Sequence, residues 1–126
     1  MKDFIIFLVL LCTVGLSTPV IAQQEARFLS VIPEIPLMPL LAENLDAAVV
    51  FEGPSGRIVE AFADGVGKSD TVYAFYAASL PQLGWLLSSK GIYRRDAEIL
   101  KISVFSAEPD HAGINVEFIL RPDLVK

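Results

Sequence analysis

Two stretches towards the end of the chain carry its plainest pattern. In Ile99 to Ser106 the apolar residues Leu100, Ile102 and Val104 alternate with Lys101 and Ser103; in Ile114 to Arg121, Ile114, Val116, Phe118 and Leu120 alternate with Asn115 and Glu117. A period of two belongs to strands with one buried face and one wet face. Between them, Glu108-Pro109-Asp110-His111-Ala112-Gly113 is turn chemistry. Earlier, Ala47 to Glu52 and Arg57 to Ala63 are β-rich runs on either side of Gly53-Pro54-Ser55-Gly56, which predicts a first hairpin.

Between the two hairpins the period lengthens. Val72, Phe75, Tyr76, Leu80 and Leu83 follow helical spacing behind Ser69 as N-cap, with Asp70 well placed in the first turn. Pro81 removes a backbone donor and should distort the last turn, and Gly84 suits a left-handed cap. Trp85 to Ser88 and Ile92 to Arg95 are short strand candidates around Ser89-Lys90-Gly91. The pattern predicts an α+β fold: a small antiparallel sheet of about five strands in β-β-α-β-β-β order, with one helix packed on one face.

Ahead of this domain, Gln23 to Asn44 reads as an extended lead-in, because Pro33, Pro36 and Pro39 recur every third position. That spacing puts Ile32, Ile35 and Met38 on one edge and Glu34, Leu37 and Leu40 on another. Such a segment either docks in a partner's groove or packs on its own domain; the cost of exposing so much apolar surface favours packing.

The first residues read as an export signal: Lys2, an apolar run from Phe4 to Leu16 broken by Thr13 and Gly15, then Ser17-Thr18-Pro19-Val20-Ile21-Ala22. Val20 and Ala22 fit the small-x-small rule and place cleavage after Ala22. The alternative is an inner-membrane anchor formed by residues 4–22. Lipidation at Cys12 would require a small upstream residue, and Leu11 stands there. The expected organisation is a signal peptide at 1–22, a lead-in at 23–46, one domain at 47–122 and a tail at 123–126.

Composition narrows the function classes. The 126 residues are 53% hydrophobic and 20% charged, which fits one globular domain. Loss of residues 1–22 removes Lys2 and Asp3 and leaves the formal charge at −5. No basic tract is present to track phosphates, which argues against nucleic acid as a partner. Cys12 is the only cysteine, so the exported domain would carry no disulfide and no thiolate metal site, which suits a bacterial periplasm.

Catalytic and metal-binding patterns are thin. His111 is the only histidine, no Gly-x-Ser-x-Gly elbow accompanies it, and a second histidine for zinc is missing. Glu108 and Asp110 lack the spaced ligands of a calcium loop. Asp64-Gly65-Val66-Gly67-Lys68 lacks the spacing of a phosphate loop. Glu52 and Glu60 lie on the two arms of the first hairpin, where they would either face each other or stand in solvent. No catalytic residue, cofactor or metal ligand is assigned.

Aromatic and arginine residues remain. Tyr93, Arg94 and Arg95 form a candidate interaction surface, because Tyr and Arg anchor interfaces. Phe75, Leu83 and Trp85 are candidates to line an apolar pocket between helix and sheet. The run Phe75-Tyr76 with Leu80-Pro81-Gln82-Leu83-Gly84-Trp85, preceded by Gly56-Arg57-Ile58-Val59 and followed by Tyr93-Arg94-Arg95 and Leu100, resembles an uncharacterised family of small secreted alphaproteobacterial proteins over residues 33–122. The resemblance implies an extracytoplasmic α+β domain and carries no reaction, ligand or catalytic residue with it.

The expected function is therefore a periplasmic or secreted, non-enzymatic interaction module, an accessory to an envelope protein, touching membrane only if the N-terminal segment is retained. A small apolar-ligand carrier is the second expectation. An enzyme built on His111, Glu108 and Asp110 is the third.

Overall fold

The computed structural model describes residues 26–106 and 112–124. The expected signal segment with Cys12, and the turn bearing Glu108, Asp110 and His111, lie outside the described residues.

The two alternating stretches form long strands, Glu98–Ser106 (β6) and Gly113–Pro122 (β7), paired antiparallel so that Leu100 lies opposite Leu120, Ile102 opposite Phe118 and Val104 opposite Val116. The first hairpin is Val49–Gly53 (β2) with Gly56–Val66 (β3), closed by a two-residue turn at Pro54 and Ser55. β3 then continues along β7, with Val59, Ala61 and Ala63 opposite Leu120, Phe118 and Val116. All of these core-facing residues except the half-buried Val104 are buried. Burying each of the larger ones contributes about 1.5–3 kcal/mol.

The sheet has seven strands among the described residues where about five were expected. A three-residue strand, Leu41–Glu43 (β1), pairs with the far half of β3, while Leu86–Ser89 (β4) and Ile92–Arg95 (β5) continue the other side, giving the order β1-β3-β7-β6-β5-β4 with β2 on β3 in line with β1. β1 and β2 behave as one strand interrupted at Asn44 to Ala48. Leu-Ala-Glu is too short for alternation to announce it, and it forms because β3 is long enough to offer a second partner.

The helix Ser69–Ser79 (α1) begins one residue earlier than an N-cap at Ser69 implies: Lys68 occupies the cap position and makes no side-chain capping bond. At Pro81 the helix tightens to a 3-10 turn over Leu80–Leu83, and Gly84 follows at φ +89, with Trp85 N donating to Leu80 O at 3.1 Å. This left-handed cap turns the chain towards β4. Val72, Tyr76 and Leu80 form the buried stripe of the helix, and the Tyr76 ring meets Phe118 edge-on at 5.4 Å.

The lead-in does not run extended. Leu29 N donates to Ile35 O, Ile35 N to Ile32 O and Leu37 N to Arg27 O, which folds residues 27–41 into compact turns. Leu29, Ile32, Ile35, Leu37, Met38 and Leu41 are all buried on the same sheet face as α1. Leu37 of the second predicted edge joins Ile32, Ile35 and Met38 in one core, because a folded turn brings together what a polyproline helix would separate, while Leu40 stays exposed. Tyr76 locks the arrangement: its hydroxyl donates to Pro36 O at 2.8 Å and accepts from Met38 N at 3.3 Å. Burial pushes that phenol well above its ordinary pKa.

Candidate interaction surface

At the end of the sheet nearest the β5–β6 turn, charged side chains tie the lead-in down. Arg57 donates to both carboxylate oxygens of Glu98, at 2.9 and 3.1 Å, and to Glu34; Arg95 lies 3.6 Å from Glu34. Arg95 also stacks over the Trp85 ring, 4.4 Å from its centroid, and donates to Leu83 O. Burial alone would raise the Glu34 pKa, but hydrogen bonding and charge from Arg57, with a smaller contribution from Arg95, hold it below the ordinary carboxylate value.

A depressed folded-state pKa stabilises the fold above the unfolded value, and the gain is lost as pH falls through the folded value. Glu34→Gln should therefore cost about 1 kcal/mol at pH 7, the rim position being partly screened. That difference should shrink as pH falls through the lowered folded-state pKa, beneath the ordinary carboxylate range. Urea midpoints of both proteins across pH 3–7 check this; a pH-independent difference would show that shape rather than charge is at work.

The sequence candidates separate on the sheet. Tyr93 points into the core and is 1% exposed, whereas Arg94, one residue on, lies on the opposite face and pairs with Asp123. Arg95 returns to the Tyr93 side and is engaged by Trp85 and Glu34. Strand alternation thus prevents the three from forming one surface. Of the pocket candidates, Trp85 is fully buried, Phe75 packs edge-on to Tyr76, and Leu83 is 39% exposed. A shallow apolar groove of about 360 Å³ does lie between α1 and the β4–β5 hairpin, but its walls are Tyr73, Ala74, Ala77, Leu87, Lys90, Gly91 and Tyr93.

Glu52 and Glu60 do not meet: Glu52 is opposite Arg57 and Glu60 opposite Val49, which puts them on different faces. Among the described residues no cluster of three metal-ligating side chains occurs, and no helix is long and apolar enough to cross a membrane. On the uncovered face, Phe62 and Phe105 wall a cleft of about 410 Å³ whose polar lining is Asn44, Asp64, Asn115 and Glu117.

Sequence reasoning placed β2 as an arm of the first hairpin but passed over its exposure. Val49, Val50 and Phe51 are 52%, 55% and 60% exposed, and neighbouring Ile58 is 42% exposed. Three consecutive apolar residues are therefore wet on both faces of an edge strand, which is the arrangement most open to pairing with another strand. Edge protection here is limited to the single charge of Glu52: β2 contains no lysine, proline or bulge. The opposite edge, β4, is also apolar at Leu86 and Leu87, but its register shifts between Leu87 and Ser89, and Lys90 follows. The only hint in the sequence was the run Val49-Val50-Phe51 itself, which breaks the alternation that a half-buried strand would show.

The fold and this edge define an α+β domain with a single antiparallel sheet, covered on one face by a helix and a folded lead-in and open on the other. No protein-family model, curated protein or solved structure matches the chain.

Proposed function

We propose that the protein is an exported, non-enzymatic interaction module that receives an extended segment of an envelope partner as an added strand along β2. The observation that carries this reading is the exposed apolar edge at Val49, Val50 and Phe51. Strand addition supplies affinity through main-chain hydrogen bonds and selectivity through alternate side chains, and β2 offers Val50 to one side of the sheet and Val49 and Phe51 to the other.

The test is site-specific photocrosslinking in the native host from position 51 and, as a control, from position 94, with the joined peptides sequenced. Crosslinks from 51 that map to one strand-forming segment, and that disappear when Val50→Pro is added, support the module. Joined peptides found from 94 alone, or binding indifferent to Val50→Pro, would overturn it. A second reading, a carrier for small apolar ligands, draws on the groove between α1 and the β4–β5 hairpin. A metabolite and lipid panel that left the melting temperature unmoved would dismiss it.

A further inference from the structure

We infer that two copies of the chain pair with each other through β2, antiparallel and centred on Phe51, joining their sheets into one. This rests on the strand-addition reading and goes beyond it: when no partner segment is bound, a second copy of β2 takes the same outward groups.

The backbone decides which groups are on offer. Asn44 N donates to Phe62 O at 2.8 Å, so the even-numbered residues of β3 direct their main-chain groups towards this edge. Their partners Val49, Phe51 and Gly53, opposite Glu60, Ile58 and Gly56, are therefore bonded inward. The N–H and C=O groups of Val50 and Glu52 point outward, alternating at the spacing that another strand matches.

Charge selects the register. Centring the two-fold axis on Glu52 would set two carboxylates directly opposite each other, which is destabilising. Centring it on Val50 leaves a single outward pair inside the strand. Centring it on Phe51 sets Val50 opposite Glu52 of the second copy twice over, so all four outward residues bond and no like charges meet. On the open face the two Phe51 rings then lie opposite each other, and Val49 faces Gly53 of the second copy. With no Cβ on Gly53, the Phe51 ring of the same copy leans over it, to 3.1 Å from where that Cβ would sit. The flanking Ile58 side chains extend this apolar seam.

A five-residue strand per copy is small beside a standard interface, so the dimer is weak, with a dissociation constant on the order of 0.1 mM. Each copy carries a net charge of −5, so salt strengthens the association by screening their repulsion.

Sedimentation equilibrium of the chain as its host exports it, from roughly 5 to 500 µM at two salt concentrations, tests the pairing around the affinity expected above. Val50→Pro deletes an outward donor that lies away from the β3 ladder and has no bond among the described residues, so its circular dichroism and urea midpoint should match wild type while it stays monomeric. Phe51→Cys, lying on the axis, should oxidise to a linked dimer, and Leu86→Cys on the other edge should not. Wild type that remains monomeric at 500 µM, or a dimer unaffected by Val50→Pro, overturns the self-pairing. Should wild type be monomeric while Val50→Pro still abolishes crosslinking from position 51 to a partner segment, strand addition stands and only the second copy falls.

Discussion

Gly91→Ala is expected to destabilise the domain by roughly 3 kcal/mol or more, combining backbone strain with overpacking. Gly91 holds φ +75, and a Cβ there would lie 2.4 Å from Ile102 O and 2.9 Å from Tyr73 Cε1. The first contact is with backbone, so no rotamer relieves it. Moving apart would also break the 2.7 Å bond from Ile102 N to Gly91 O, the last rung joining the β4–β5 hairpin to β6. Tyr73 is no freer to yield, because its hydroxyl accepts from Val104 N where β6 runs on past β5.

Gly84→Ala supplies the contrast. Gly84 also has positive φ, but the nearest atom to its Cβ position is Arg95 Cδ at 3.4 Å, on a flexible side chain. Its cost should be about 1 kcal/mol, the conformational term alone. Thermal melts of the two variants separate the contributions: Gly91→Ala should lose more than about 10 °C and Gly84→Ala less than half as much. Equal losses would mean that the close approach at Gly91 is not felt.

Trp85→Ala should cost about 3–5 kcal/mol, the range for truncating a large buried aromatic. Trp85 is fully buried beneath Arg95, follows the cap at Gly84 and belongs to the hydrophobic core, so its loss opens a void there. Trp85→Phe should cost much less, about 1 kcal/mol, because the indole Nε1 has no hydrogen-bond partner among the described residues. Removing an unpaired buried donor offsets part of the lost contact area. As the only tryptophan in the chain, Trp85 reports on itself: native emission should be blue-shifted and resistant to acrylamide. Urea titrations of both variants decide the matter, and a Phe variant as damaged as the Ala variant would give the indole N–H a role that the packing does not.

These two positions also mark the reach of sequence reasoning. Alternation over Leu100, Ile102 and Val104 and over Val116, Phe118 and Leu120 gave the long strands to within a residue or two, because burial on one face imposes period two. Pro81 and Gly84 announced the distorted helix end through local backbone chemistry. The Pro-x-x-Pro spacing of the lead-in misled, because proline restricts φ without dictating an extended path, and hydrogen bonds from residues up to forty positions away bend the segment onto the core. Tyr93, Arg94 and Arg95 looked like a cluster because they are adjacent in sequence; pairing to Leu100, Ile99 and Glu98 divides them between two faces. Nothing local in Val49 to Gly53 declares that β2 is an edge, since that depends on how far β3 extends and which neighbours it takes.

By itself the sequence determined the elements that short-range physics controls: strand and helix periods, the turn at Pro54-Ser55, the left-handed cap, the acidic charge and the single tryptophan and histidine. The tertiary structure alone decided the seven-strand order, the folding back of residues 27–41, the Glu34–Arg57–Glu98 tie and the exposure of Val49, Val50 and Phe51. Those features depend on contacts between residues far apart in the chain, and whether an apolar side chain ends buried or wet is settled only when every other element has taken its place.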